Sequence, residues 1–209
     1  MDGSELATER RGSKLARRIT RALGPAGVFF QGFLEHPRMV GSIIPSSEHT
    51  IRKMLAPVDW ERCKVFVEYG PGVGTFCRPV LDRLPRDGVL VVIDTNPLFI
   101  DYLQRTIGDS RFHPVLGSAA DVEAILAALG HDKADYVLSG LPFSTLPEGV
   151  GPAIAAATHR VVRQGGAFLT YQFSTTARDL TARHFARVDT GFTWWNIPPC
   201  LLAFGWQEG

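Results

Sequence analysis

The sequence predicts an α/β fold built on a doubly wound, mostly parallel sheet of seven strands. Short apolar runs without polar alternation recur from residue 64 onward, as in parallel strands that are covered on both faces. Stretches with helical spacing separate these runs, which is the order expected of repeated βα units. The final stretch, 186–206, is rich in β-branched and aromatic residues and predicts a C-terminal antiparallel hairpin with Pro198 and Pro199 at its bend.

The individual elements follow from the apolar periodicity and from the turn residues between the periodic segments. We expect strands near 64–69, 89–94, 111–115, 134–139 and 166–173. We expect helices near 47–56, 75–84, 97–107, 119–129, 148–163 and 176–185. Ser46 or Ser47 is placed to cap the first of these helices.

The composition indicates one globular domain and disfavours several other classes of protein. The 209 residues are 45% apolar and the formal net charge is +1, so no overall charge attracts nucleic acid. The three cysteines form no C-x-x-C pair, which favours a reduced cytosolic protein. The histidines show no metal-ligand spacing, so we expect no metal. No apolar run approaches the length of a transmembrane helix.

A glycine-rich turn, Glu68-Tyr69-Gly70-Pro71-Gly72-Val73-Gly74, carries the main functional signal. An apolar strand ends here in a carboxylate, and three glycines at alternate positions precede a helix. Such a strand–turn–helix unit lets the backbone approach an adenosine-containing cofactor closely. The third glycine comes one residue earlier than in the dinucleotide pattern G-x-G-x-x-G, and the carboxylate of Glu68 would repel a pyrophosphate.

A carboxylate at Glu68 favours a positively charged ligand, and S-adenosylmethionine carries an ammonium and a sulfonium. Asp94 ends the second strand, 20 residues after Gly74, and is placed to bind two ribose hydroxyls. We therefore predict S-adenosylmethionine as cofactor and S-adenosylhomocysteine as product, with a purely structural turn as the alternative. The predicted cofactor-binding residues are Ser42, Ser46, Glu68, Tyr69, Gly70, Pro71, Gly72, Gly74, Asp94, Thr95, Ser118, Ala119, Ser139 and Gly140.

A second functional segment follows the fourth strand, from Ser139 to Pro147. Because this loop leaves the sheet beside the glycine turn, we expect it to face the same ligand. The ring of Phe143 is expected to meet a cationic or amine substrate, or else to plug the loop into the core. The carbonyls of Gly140 and Leu141 are expected to orient the attacking nitrogen. The predicted catalytic residues are Leu141 and Phe143, and the predicted substrate contacts are Leu141, Pro142, Phe143 and Ser144.

These motifs resemble the bacterial phospholipid N-methyltransferases, a branch of the class I methyltransferases close to the ribosomal RNA adenine dimethylases. The resemblance covers about residue 28 to the end. It rests on the stretches Glu68–Gly74, Gly140–Phe143, Met39–Ser47 and Trp195–Pro199, and on Asp94.

The resemblance implies a Rossmann-like class I methyltransferase domain over residues 37–209. Its implied activity is transfer of methyl groups from S-adenosylmethionine to the amine of phosphatidylethanolamine, toward phosphatidylcholine. An ornithine-lipid or other small-amine N-methyltransferase is the alternative, and an RNA adenine N6-methyltransferase is a less favoured one. A non-catalytic cofactor-binding module that docks on membranes is a rival from another class.

Two departures from related sequences bear on the substrate and on the cofactor. The adenine dimethylases carry asparagine where this chain has Gly140, and glycine has no side chain to accept a hydrogen bond from an adenine amino group. Many class I enzymes place an acidic residue after the third strand to read the cofactor adenine. Here Ser118, Asp121 or backbone atoms take that role. Tyr171 and His36 are candidates for a general base by residue type alone.

The N-terminal residues 1–36 form a predicted basic, amphipathic helical extension. Residues 1–23 contain six basic and three acidic residues, and Leu15, Ile19 and Leu23 share one helical face. The extension either packs on the domain or frays in solvent, or it lies on an anionic membrane surface. The resemblance favours the membrane and implies a cytoplasmic enzyme, peripheral on the inner face of the cytoplasmic membrane. The predicted membrane-binding residues are Arg10, Arg11, Lys14, Arg17, Arg18, Arg21, Phe29, Phe30 and Phe33.

Overall fold

The computed structural model describes residues 47–194 and 199–208. These residues belong to one compact unit. The predicted N-terminal extension lies outside the described residues, and so do Ser42, Ser46, His36 and most of the bend around Pro198. The predictions made for those positions therefore stay predictions. In the part of the chain that the structure describes, no helix is both long enough and apolar enough to cross a membrane.

A single seven-stranded sheet forms the centre of the fold, in the strand order β3-β2-β1-β4-β5-β7-β6. The strands are β1 (Val65–Tyr69), β2 (Val89–Asp94), β3 (Phe112–Leu116), β4 (Ala134–Ser139), β5 (Val162–Gln172), β6 (Arg187–Thr193) and β7 (Cys200–Trp206). Strands β1 to β5 pair in parallel, whereas β7 pairs antiparallel with both β5 and β6. The predicted fold class, including the C-terminal antiparallel pair, is confirmed.

Helices cover both faces of this sheet. They are α1 (Glu48–Leu55), α2 (Cys77–Leu81), α3 (Pro97–Thr106), α4 (Val122–Ala128), α5 (Val150–Val161) and α6 (Thr176–Thr181), and a 3₁₀ turn at Ala119–Asp121 precedes α4. Buried residues of α1, α2 and α3 share one apolar cluster with one face of the sheet. Residues of α4, α5 and α6 share a second cluster with the other face. This is the doubly wound arrangement that the uninterrupted apolar strands predict.

Three predicted helices are longer than the helices of the structure. The helix expected over 75–84 spans only Cys77–Leu81, because residues 72–76, which include the positive φ of Gly72 and Gly74, form turns, and so do residues 82–83. The helix expected over 176–185 ends at Thr181, whose carbonyl accepts from the N–H groups of His184 and Phe185 in a closing turn. The start of the helix expected over 119–129 is a 3₁₀ turn capped by Ser118, whose hydroxyl oxygen accepts a hydrogen bond from the N–H of Ala120. The helix at 48–55 begins as expected, with Ser47 as its N-cap.

A buried carboxylate fixes the amino end of the central strands. Asp135 accepts hydrogen bonds from the backbone N–H groups of Lys64 and Val65, at 2.7 and 2.6 Å. Its other oxygen pairs with the guanidinium of Arg163. This pairing holds the chain extended from Val162 onward, so β5 begins earlier than the predicted residue 166. The contacts lock β1 against β4 and β5 at the edge opposite to the predicted cofactor site.

Candidate active site

The carboxyl ends of β1, β2 and β4 meet at one edge of the sheet, where the strand order reverses between β1 and β4. The residues that follow β1, β4 and β3 each add one backbone hydrogen bond to the strand pairing. The N–H of Gly70, after β1, donates to Ile93, that of Gly140, after β4, donates to Tyr69, and that of Gly117, after β3, donates to Asp94, at 2.9 to 3.0 Å. Ligands of open α/β sheets bind in the crevice outside such a reversal point. The predicted site residues of β1, β2 and β4 are therefore brought together.

The three glycines of the turn serve two different purposes. All have positive φ, at 63° for Gly70, 54° for Gly72 and 81° for Gly74. A Cβ on Gly70 would lie 2.7 Å from the Leu141 side chain, and one on Gly74 would lie 2.6 Å from the Leu103 side chain. A Cβ on Gly72 would meet no atom within 4 Å. Gly70 and Gly74 thus allow close internal packing, whereas Gly72 leaves open space beside the backbone, as a cofactor cradle requires.

Asp94 is held ready at the end of β2 by backbone N–H groups. The N–H of Asn96 donates to its Oδ1 at 2.8 Å. Burial raises the pKa of Asp94 above its usual range, while hydrogen bonds from the N–H groups of Asn96, Gly72 and Thr95 oppose that shift. The contact with Gly72 links the carboxylate to the glycine turn. A partly buried carboxylate with open space beside the turn fits the two ribose hydroxyls of an adenosine group.

Glu68 lies inside the sheet layer at 2% exposure, next to the apolar residues of α2. The thiol of Cys77 donates a hydrogen bond to its Oε2 at 3.4 Å. Burial raises the pKa of Glu68 to about 7, the Cys77 contact lowers it and the charge of Asp94 raises it further. A carboxylate in this setting is poised to ionise when a cation binds near it. The sequence could not place Cys77 beside Glu68, because the contact depends on how α2 packs on β1.

The other predicted cofactor residues have different surroundings. The side chain of Tyr69 is fully buried and its hydroxyl shares a hydrogen bond of 3.2 Å with Thr158, so this side chain points away from the edge. Pro71 is buried and accepts a hydrogen bond from the N–H of Gly74. Ser139 is buried and its hydroxyl accepts from the N–H of Leu141, at 3.3 Å. The remaining members lie at the ends of β2 and β3 and are Thr95, Ser118 and Ala119.

The loop after β4 is tied to the rest of the domain through its predicted catalytic residues. Phe143 is only 5% exposed, and its ring packs edge-on against Phe168 in the apolar core. The residue therefore anchors the loop, as its alternative core role expects, and its contact with the substrate amine stays a prediction. The carbonyl of Leu141 accepts two hydrogen bonds, from Gln172 Nε2 at 2.5 Å and from the N–H of Phe143 at 3.0 Å. Both lone pairs of this carbonyl oxygen are therefore engaged within the protein, and the orienting role expected for Leu141 stays a prediction.

Tyr171 takes the place that a side chain at position 140 would fill. An ideal Cβ on Gly140 would lie 2.6 Å from the Tyr171 hydroxyl oxygen. Its ring packs against Phe76, with 5.2 Å between centroids. The glycine therefore brings a phenol, in place of an asparagine amide, to the edge between β4 and β5. Residue type alone suggested Tyr171, and the packing now places it at the site.

Two exposed leucines flank Asp94, and sequence reasoning missed both of them. Leu116 is the register partner of Asp94 in the β2–β3 pair, and Leu98 follows Asn96 at the start of α3. Both side chains are more than half exposed. Exposed apolar groups near the carboxylate that is predicted to bind ribose suit contact with an adenine ring. The available signal was Leu116, a large apolar residue directly after the strand predicted near 111–115. Only the strand register shows that it lies beside Asp94.

The chain is similar to known proteins in sequence and in fold. No family model matches it. An ornithine lipid N-methyltransferase from Singulisphaera acidiphila is 28% identical over 179 residues, which cover 85% of this chain and 93% of that protein. A ribosomal RNA small subunit methyltransferase H from Nitrosomonas europaea is 33% identical over 82 residues, which cover 39% of this chain and 26% of that protein.

A solved structure, N-methyltransferase NodS from Bradyrhizobium japonicum WM9, has a TM-score of 0.62 at 13% identity, covering 77% of this chain and 96% of that one. The same protein in complex with S-adenosyl-L-homocysteine has a TM-score of 0.58 at 15% identity, covering 74% and 81%. The chain is a class I, S-adenosylmethionine-dependent N-methyltransferase. The predicted enzyme class and cofactor are confirmed, while the link to ribosomal RNA enzymes rests on a short match.

The methyltransferase shows no metal centre in residues 47–194 and 199–208, where no three His, Cys, Asp or Glu side chains are grouped to hold an ion. The expectation that no metal is used stays a prediction. Methyl transfer from a sulfonium to an amine proceeds as a direct displacement. The task of the site residues is therefore to bind, orient and desolvate the two reactants.

The open space at Gly72 can be tested with Gly72→Ala and the matched control Gly130→Ala. Both glycines have positive φ and both would place a Cβ in open space, but Gly130 follows α4 at the opposite edge of the sheet. Each alanine should lower the free energy of unfolding by about 1–2 kcal/mol because of backbone strain. Only Gly72→Ala should lose affinity for S-adenosylmethionine, by at least about tenfold. Calorimetry showing equal affinities for the two variants would contradict the cradle.

The raised pKa of Glu68 predicts a pH-dependent affinity for S-adenosylmethionine. The free enzyme holds Glu68 protonated below about pH 7, whereas a cationic ligand favours the ionised form. Binding should therefore release a proton near pH 7, and the affinity should rise about tenfold from pH 6 to pH 8. Calorimetry in buffers of different ionisation enthalpy measures both effects.

The control for this titration is Glu68→Gln, which keeps the shape and cannot ionise. Its pH dependence reports the remaining groups, including the amine of the ligand itself. The difference between the two proteins should show the rise through pH 7. If the variant and the wild-type protein show the same pH dependence and the same proton release, Glu68 does not respond to the ligand charge.

Proposed function

We propose that the enzyme methylates the head-group amine of a membrane lipid. The observation that carries this proposal is the match to an ornithine lipid N-methyltransferase, which extends over 85% of this chain and 93% of that protein. The match spans most of both chains, which are of similar length. We take ornithine lipid as the leading acceptor and phosphatidylethanolamine as the second candidate. Both present a primary amine close to the bilayer surface.

A nucleobase acceptor is disfavoured by the site between β4 and β5. Gly140 has no side chain, and the hydroxyl of Tyr171 lies where an amide would otherwise accept from an adenine amino group. The net charge of +1 also gives no general attraction for RNA. A lipid amine needs fewer specific contacts than a base edge. It requires a route from the bilayer, an apolar surrounding and a partner for its N–H groups.

S-adenosylmethionine supplies a methyl group on a sulfonium, which a neutral amine displaces in line. In this proposal Asp94 and the backbone at Gly72 fix the adenosine end. The ionised carboxylate of Glu68 stabilises the positively charged end of S-adenosylmethionine. The Tyr171 hydroxyl and the loop residues Pro142, which is half-buried, and Ser144, which is exposed, orient the amine. An ammonium must lose a proton before it attacks, and partial burial at this edge lowers the pKa of an amine in that direction.

Access to lipid is assigned to the N-terminal residues 1–36. We propose that this extension brings the enzyme to the inner face of the cytoplasmic membrane as a peripheral protein. Its six basic residues suit an anionic leaflet, where each contributes about 1 kcal/mol, and its phenylalanines suit the interfacial region. This assignment rests on the sequence pattern alone.

The acceptor can be tested with methyl-labelled S-adenosylmethionine. Purified enzyme should transfer label to ornithine lipid and give a methylated product by mass spectrometry. Phosphatidylethanolamine should be labelled more slowly, and RNA or acceptor-free reactions should stay at background. Faster labelling of phosphatidylethanolamine would reverse the order of the two lipids. Label in RNA alone would contradict a lipid acceptor.

The role of the extension can be tested with Arg17, Arg18 and Arg21 replaced together by Glu. Reversing three charges should release the enzyme from anionic vesicles, because each charge near such a surface is worth about 1 kcal/mol. Binding of S-adenosylmethionine should persist, since the glycine turn and Asp94 lie in the described domain. Activity on a short-chain soluble lipid should fall less than activity on vesicles. Unchanged sedimentation with anionic vesicles would refute the electrostatic part of this proposal.

A further inference from the structure

Three aromatic side chains form an exposed aromatic patch, which we define as Phe173, Phe192 and Trp194. Their exposed fractions are 50%, 42% and 76%. Within residues 47–194 and 199–208, the other large hydrophobics exposed to this degree are Leu98 and Leu116, which flank Asp94. Single exposed apolar residues are common in soluble proteins, but three exposed aromatic residues at one end of a sheet, two of them in ring contact, indicate an interaction surface. The cofactor site does not account for this group.

Strand pairing brings the aromatic patch together. Phe192 of β6 lies opposite Leu201 of β7, and Leu201 lies opposite Gln172 of β5. Phe173 directly follows Gln172, so it lies at the same end of the sheet, with β7 between it and Phe192. Trp194 lies two residues beyond Phe192, and their rings meet edge to face with 4.7 Å between centroids. The patch therefore lies at the sheet edge where β5 and β6 end.

Basic side chains border the aromatic patch. The ammonium of Lys53 donates a hydrogen bond to the carbonyl of Phe192 at 3.0 Å, and Arg52 beside it is exposed. Helix α1 is held there by a buried hydroxyl contact of 3.4 Å between Thr50 and Thr193. The Lys53 ammonium is thus held at the backbone of Phe192, and Arg52 precedes it on the same helix. Exposed aromatics bordered by Lys and Arg are the composition of an interfacial lipid-binding surface.

The aromatic patch also adjoins the proposed acceptor site. Gln172, which precedes Phe173, donates its side-chain N–H to the carbonyl of Leu141 in the loop after β4. Tyr171, one residue earlier, lies against Gly140. One strand end therefore carries both the contact to the acceptor loop and the first aromatic of the patch.

We infer that the aromatic patch, with Arg52 and Lys53, seats in the interface of an anionic bilayer. The contact directs the carboxyl edge of the sheet toward the lipid head groups. This inference rests on the proposed lipid acceptor. It assigns a second membrane contact, separate from the N-terminal extension and built by α1, β5 and β6. Tryptophan and phenylalanine enter the head-group region, while the two cations stay at the level of the phosphates.

The test measures vesicle binding of the full chain by flotation, with vesicles of phosphatidylcholine and phosphatidylglycerol. Neither lipid has a primary amine, so binding is measured without turnover. Trp194→Ala should weaken binding about tenfold, because a mostly exposed indole loses its burial in the interface. Lys53→Glu should weaken binding to a similar extent, and added salt should reduce the difference between it and the wild-type protein.

Lys133→Glu is the matched control for Lys53→Glu. Lys133 is also an exposed lysine that donates to a backbone carbonyl, that of Arg160, but it precedes β4 at the opposite edge of the sheet. Its charge reversal should change vesicle binding by less than about twofold. Thermal unfolding and affinity for S-adenosylmethionine should stay near wild-type values in all three variants, because none of these side chains is in the core or the cofactor site.

The outcomes separate this inference from the proposed acceptor. Weakened vesicle binding in Trp194→Ala and Lys53→Glu but not in Lys133→Glu supports the surface, even if no lipid is methylated. Lipid methylation with vesicle binding unchanged in both patch variants overturns the surface and leaves the acceptor standing. Equal losses in Lys53→Glu and Lys133→Glu overturn it as well, since they indicate only a general charge effect. Loss of a dimer in Trp194→Ala by light scattering, with vesicle binding intact, would assign the patch to self-association instead.

Discussion

Strand β1 is hydrogen bonded on both sides by parallel neighbours, and the position of the site depends on this pairing. Tyr69 lies opposite Ile93 of β2 and opposite Ser139 of β4, so the three strands end level with one another. The loops that follow must then leave at the same edge. A slip of one residue would turn Glu68 into the opposite apolar layer, which makes the register strongly specified by burial. The contacts of Asp135 at the other end hold the same alignment.

The two carboxylates near this edge have different environments and therefore different tasks. Asp94 is partly exposed and accepts several backbone N–H groups, which suits a permanent partner for hydroxyl groups. Glu68 is enclosed among apolar residues with a thiol as donor, which leaves its charge sensitive to the ligand. Both pKa values are raised by burial first, and the charge of Asp94 adds to the shift at Glu68. A positively charged donor of methyl groups relieves this cost, whereas a pyrophosphate would increase it.

Along this edge of the sheet the groups change from polar to apolar. Glycine backbone and carboxylates lie at β1 and β2. A rigid loop and the Tyr171 hydroxyl lie at β4 and β5, and exposed aromatic rings lie at β6. Gln172 connects the second and third of these regions through Leu141. A lipid amine needs such a sequence of surroundings, since its head group must reach the donor while its chains stay with the bilayer. The proposed acceptor and the inferred membrane surface are in this way parts of one geometry.

The sequence by itself determined the sheet class, the glycine turn and the two carboxylates, because these depend on local apolar runs and on spacing within one βα unit. The sequence also allowed two interpretations of Phe143, as a contact for the substrate amine or as a residue that plugs the loop into the core. Only the tertiary structure shows that the ring packs into the core, since its burial depends on Phe168, which lies 25 residues further along the chain. The same holds for the pairing of Cys77 with Glu68 and for the hydrogen bond from Gln172 to the Leu141 carbonyl. Each of these contacts joins different elements, and strand register and helix packing fix them rather than any local pattern.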